Sequence, residues 1–178
     1  MRKSLFCILI LTALASSAQA TLYDFSQTGF SEGATISGSF QANDLNSNGL
    51  IQGSVFSDFS EISAFSLSFS GNSDVPAFSQ SFSDLSFLGY SLGQNQLGAA
   101  NPEGLATNWF GDSGYTYVSG VYANGAQGGG IIDWSTGFST ETSQLLTISA
   151  APVPESASLS LLLTGLAGVT ARLKRKTA

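Results

Sequence analysis

Apolar and hydroxyl residues alternate strictly in Phe65-Ser66-Leu67-Ser68-Phe69, and the same rhythm recurs through the middle of the chain. Successive side chains of an extended strand point to opposite faces. A period of two with Ser or Thr on one side therefore builds an antiparallel sheet with one buried and one wet face. Phe78, Gln80 and Phe82, then Leu85 and Phe87, repeat the style with a register change expected near Asp84; Tyr115 and Tyr117, then Leu146 and Ile148, do so again. Turn signals separate the runs at Asn48-Gly49, Gly71-Asn72, Gly111-Asp112, Asn124-Gly125 and Gly128-Gly129-Gly130, the last read as a flexible surface loop. No helical stripe is sustained, and Ser57 to Phe65 offers one or two turns at most. No period recurs that would make a solenoid. The expectation is an all-β chain: one antiparallel β-sandwich or jelly-roll-like domain over residues 21–149, flanked by an N-terminal signal peptide and a C-terminal membrane helix.

Charge narrows the function classes further. All six Lys and Arg residues lie near the chain ends, and between Thr21 and Pro154 there are seven Asp and four Glu with no Lys, Arg or His, a formal charge of −11. A body without cations has no counterion-release term for nucleic acid, is repelled by anionic headgroups and offers no guanidinium clamp for phosphate. The only cysteine, Cys7, lies near the N-terminus, so a mature body lacks disulfides and thiolate chemistry. Without His, Cys or Lys, the Ser-His-Asp, Cys-His, Ser-Lys and His-ligated zinc arrangements are excluded from the body. Its glycine run lacks the Lys of a phosphate loop.

The two ends read as membrane labels. Arg2 and Lys3 precede an apolar stretch, Leu5 to Leu14, and Ala18-Gln19-Ala20 places small residues where signal peptidase needs them. Cleavage after Ala20 would start the mature chain at Thr21. At the other end, residues 150–156 form a proline-containing linker with the motif Val153-Pro154-Glu155. An uncharged run from Ala157 to Ala171 follows, and then a tail, residues 172–178, with Arg172, Lys174, Arg175 and Lys176. As a helix that run would rise about 22 Å, enough to span when flanking residues and snorkelling cations are added. Both basic ends favour the cytoplasmic face, leaving the acidic body to cross.

Val153-Pro154-Glu155, the apolar segment containing Gly165 and Gly168, and the basic cluster together resemble the PEP-CTERM sorting signal of exported bacterial proteins; Ser156 stands where that motif has its second proline. The resemblance covers residues 151–178. It implies processing by an exosortase, a membrane-embedded cysteine enzyme, in a Gram-negative cell that makes extracellular polysaccharide. The protein would be anchored transiently in the inner membrane and then reach the cell surface or matrix.

Two constellations in the body could carry chemistry. Asp44-Leu45-Asn46-Ser47-Asn48-Gly49 places oxygens at positions 1, 3 and 5 and glycine at 6, like the first half of a calcium loop. Position 12 is Val55, so a Ca2+ held by Asp44, Asn46 and Asn48 would be weakly bound, and the competing reading is a plain hairpin between Ile36–Gln41 and Leu50–Phe56. Trp109, Trp134, Tyr115, Tyr117 and Tyr122 lie in sequence near Glu103, Asp112 and Asp133, the composition of a sugar-binding face or a carboxylate pair. The leading expectation is a non-enzymatic, exported surface or matrix protein without a required cofactor, associated with extracellular polysaccharide. The alternatives are a carbohydrate-binding module, Ca2+-assisted or not, and a carboxylate glycosidase.

Overall fold

The computed structural model describes residues 20–111 and 113–151. These form two six-stranded antiparallel sheets and one short α-helix. In spatial order the first sheet is β5 (Phe78–Ser81), β4 (Ile62–Phe69), β2 (Ile36–Ala42), β1 (Thr21–Gln27), β12 (Leu146–Ala150) and β7 (Gln96–Leu97). The second is β11 (Ser139–Thr142), β10 (Gly129–Asp133), β9 (Tyr115–Ser119), β8 (Gly104–Thr107), β6 (Leu85–Ser91) and β3 (Leu50–Ser54). Helix α1 (Val121–Asn124) follows β9 and ends at Gly125, whose φ of 70° caps it in the left-handed region. Ala18, the sorting motif, the run 157–171 and the basic tail lie outside the described residues. No helix among the described residues is long and apolar enough to cross a membrane.

The alternation behaves as its period requires. In β4, Ile62, Phe65, Leu67 and Phe69 are buried while Ser63, Ser66 and Ser68 face solvent. The outward hydroxyls pair across strands: Ser39 with Ser66 at 3.2 Å, Ser68 with Ser79 at 2.9 Å, and Ser26 with Thr147 at 2.9 Å. The break near Asp84 is a 3-10 turn over Phe82–Asp84. There the Asp84 carboxylate accepts from Ser81 N–H at 2.7 Å, and the chain passes from β5 in the first sheet to β6 in the second.

Both sheets contribute to one core. Tyr23 stacks on Phe40 at 4.9 Å, and Tyr90 of the facing sheet meets them edge-on at 5.3 and 6.0 Å. Two glutamines tie the sheets together where a charged protein could use ion pairs. Buried Gln27 of β1 accepts from the Tyr117 hydroxyl at 2.7 Å and donates to Ser119 Oγ at 3.2 Å and to the Gln144 carbonyl at 2.7 Å. Gln80 of β5 accepts from Thr107 Oγ1 at 2.6 Å and donates to the Tyr115 carbonyl at 2.7 Å. Neutral amide bonds of this kind each contribute about 0.5–1.5 kcal/mol net and avoid the desolvation of a buried charge.

Three local expectations are corrected. Residues 36–42 and 50–54 do not form a hairpin: β2 pairs with β1 and β4, β3 pairs with β6, and Asn48-Gly49 turns the chain from one sheet to the other. Gly129 and Gly130 are not a surface loop. They open β10, and a Cβ on Gly129 would lie 2.5 Å from Gln27 Oε1, so the missing side chain makes room for the inter-sheet amide. Ser57 to Phe65 contains no helix; its second half is already strand β4.

Candidate functional site

The Asp44 loop is the most elaborately hydrogen-bonded segment of the surface. Gly49, with φ of 80°, makes the sharp turn that the spacing called for. Each predicted oxygen ligand accepts from a backbone amide: Asp44 Oδ1 from Asn48 N–H at 3.1 Å, Asp44 Oδ2 from Gly49 N–H at 2.8 Å, Asn46 Oδ1 from Asn48 N–H at 3.0 Å and Asn48 Oδ1 from Leu50 N–H at 2.8 Å. Asp44, Asn46 and Asn48 are thus brought together, as members of a self-capped loop. Sequence reasoning gave Glu61 no part in it. That residue is 7 % exposed, and its carboxylate accepts from Leu45 N–H at 3.2 Å and Gln52 N–H at 3.0 Å, pinning the loop to β3. Its distance in sequence from a twelve-residue loop hid this role. Leu45, Asn46, Asn48, Gln52, Asp58 and Glu61 line a cleft of about 250 Å³ beside the loop. Among the described residues no group of three or more His, Cys, Asp or Glu side chains is placed to hold a metal.

The predicted aromatic face is dispersed. Tyr117 is fully buried, which pushes its phenol pKa up, and it serves the Gln27 network. Tyr115 stacks on Phe78 at 4.3 Å and Tyr122 on Phe87 at 4.5 Å. Trp134 sits on the β10–β11 turn, 44 % exposed, with its indole N–H on Thr116 Oγ1 at 2.8 Å. Only Trp109 joins an exposed aromatic group, with its sequence neighbour Phe110 and with Phe56, a lone ring in the β3–β4 loop that no periodicity marks. Phe110 stacks on Trp109 at 5.5 Å, while Phe56 stands edge-on to Phe110 at 5.1 Å and 70°.

The predicted acids are also apart. Asp133, opposite Tyr115, caps its own turn by accepting from Ser135 Oγ at 2.6 Å and Ser135 N–H at 2.9 Å; the Oγ bond is the main cause holding its carboxyl below the usual range. Buried Glu103 precedes Leu105, which pairs with Ser119 at the far end of β9, and its carboxylate accepts from Gly98 N–H at 3.2 Å. Asp133 and Glu103 therefore flank opposite ends of a five-residue strand, more than about 13 Å apart along it. A glycosidase pair works at about 5–9.5 Å. Asp112 lies outside the described residues.

The two ends of the described chain meet. Tyr23 of β1 is paired with Ala150 of β12, and Ala151 N–H donates to the Leu22 carbonyl at 2.8 Å. Thr21 and Ala151 thus lie at the same end of the first sheet. No known protein family, curated protein or solved structure matches the chain.

Proposed function

We propose that the protein is a non-enzymatic, exported β-sandwich of the cell surface or extracellular matrix, delivered through its two terminal labels and working among extracellular polysaccharides. The observation that supports this best is the adjacency of Thr21 and Ala151. Termini that sit at one end of a domain let both flanks reach one membrane without a long linker around the fold. The body between them is compatible with the role. It carries no cation from Thr21 to Pro154, its outer face is a ladder of hydroxyls, and its inter-sheet ties are neutral amides. Such a surface stays hydrated and repels anionic lipid and nucleic acid. Ca2+ at the Asp44 loop would be an accessory, since the loop oxygens already accept backbone amides.

The intact mass of the protein recovered outside the cell tests the reading. The expected species lacks residues 1–20 and everything after about residue 154, and after denaturation it yields no internal tryptic fragment. A cytosolic protein of full mass would overturn export, and an extracellular form retaining Arg172–Lys176 would overturn processing at the sorting motif.

A further inference from the structure

We propose that the corner formed by Phe56, Phe110 and Trp109 is a stacking platform for an uncharged polysaccharide chain; this rests on the reading of the protein as one that works among polysaccharides. Phe56 is 80 % exposed and Phe110 64 %, the two most exposed large apolar side chains among the described residues. The corner is built from distant segments rather than being loose side chains. The β3–β4 loop carries Phe56 and the β8–β9 loop carries Trp109 and Phe110, and both are fastened to one residue of β6, Ser86. Its carbonyl accepts from Val55 N–H at 3.0 Å and its hydroxyl from Trp109 N–H at 3.0 Å. Trp109 is half-buried and rooted on a small apolar cluster of Phe87, Ala106 and Ala123, so the stack has a fixed base. Two rings at 70° to each other make a floor and a wall, already in place before any ligand arrives.

The choice of occupant follows from charge and size. No Lys, Arg or His is present from Thr21 to Pro154 to meet an acidic polymer, and a formal charge of −11 opposes both anionic lipid and a second copy of the chain. The exposed rings offer on the order of 300–400 Å² of apolar surface, less than half of the ~800 Å² per partner of a stable protein interface. A pyranose chain needs no more. Its C–H face would stack on a ring, with its hydroxyl edge turned to solvent and to the polar β3–β4 loop, where the hydroxyls of Ser54 and Ser57 flank Phe56 in sequence.

Affinity electrophoresis of the full chain in a mild non-ionic detergent tests this, with gels containing a mixed-linkage β-glucan, a galactomannan, dextran or, as the anionic control, alginate. At least one neutral polymer is expected to retard the protein. Phe56→Ala and Phe110→Ala should each weaken that retardation more than 10-fold in apparent Kd, with Phe138→Ser, at an exposed phenylalanine elsewhere, leaving it unchanged. Unaltered thermal melts would confirm that these loop variants fold. No retardation by any neutral polymer, stronger retardation by alginate, or retardation indifferent to both substitutions would overturn the proposal. So would binding to phosphatidylcholine vesicles, or self-association, that Phe56→Ala abolishes. A correctly processed extracellular protein that fails here sinks the platform alone, whereas an unexported protein that binds glucan sinks the export reading alone.

Discussion

The hydroxyl of Tyr117 sits where the two sheets are tied, and its hydrogen goes to Gln27 Oε1 at 2.7 Å. Tyr117→Phe would leave that acceptor without a donor in a site closed to water, a loss of about 1–3 kcal/mol in urea unfolding. Combined with Gln27→Leu it should lose less than the sum of the two, because both changes break the same bond. A second residue-scale effect depends on pH. The Ser135 hydroxyl is the main reason the Asp133 carboxyl lies below its ordinary range. A depressed carboxyl stabilises the fold above its unfolded pKa, near 3.9, and that contribution disappears as pH falls through the folded value. Ser135→Ala should therefore unfold at lower temperature than the parent at pH 7, with the gap closing in parallel melts as pH falls through the folded Asp133 value. Glu32 and Asp58, lowered chiefly by the hydroxyls of Ser73 and Ser60, lose their contributions in the same direction.

At the scale of elements, packing decides what periodicity leaves open. Gly129→Ala would drive a Cβ to 2.5 Å from Gln27 Oε1, and the strained core should cost about 1–3 kcal/mol, while Ser68→Ala on the wet face of β4 stays within about 0.5 kcal/mol; chemical denaturation of both variants checks the contrast. The same contrast separates what was readable from what was not. Phe65 to Phe69 declared its strand because one-sided burial leaves a period of two, and the break at Asp84 was equally visible. Leu85 and Phe87 carry the alternation only as far as Phe87; residues 85–90 are buried on both faces, so the rest of Leu85–Ser91 shows no period. Which strands would pair was not legible either. Asn48-Gly49 is as good a signal for a turn between sheets as for a hairpin, since local turn chemistry fixes the reversal and not the partner. Asp44, Asn46 and Asn48 stand together in one loop, as their spacing made visible, whereas Glu61, which pins that loop to β3, was obscured by its distance in sequence. Of the exposed corner only Trp109 was visible in the sequence, because Phe56 reaches Phe110 through two loops that share an anchor at Ser86.

For the whole molecule, a domain with eleven acidic residues and no cation from Thr21 to Pro154 has self-repulsion but no ion pairs to be weakened by salt. Its melting temperature should rise as NaCl goes from about 10 to 150 mM, where the Debye length shrinks from roughly 30 Å to 8 Å. A fall would show that attractive charge contacts have been overlooked. The neighbourhood of β1 and β12 has a consequence in time as well as in space. The first strand made must wait for the last to become its neighbour, so the domain has contacts of the longest possible range and completes its first sheet late. If the chain is threaded through a membrane from its N-terminus as proposed, β1 can pair with β2 early but keeps its other edge open until residue 150 has emerged. Under the proposed export, that open edge would lengthen the time for which the junction beside Ala20 stays within reach of a protease.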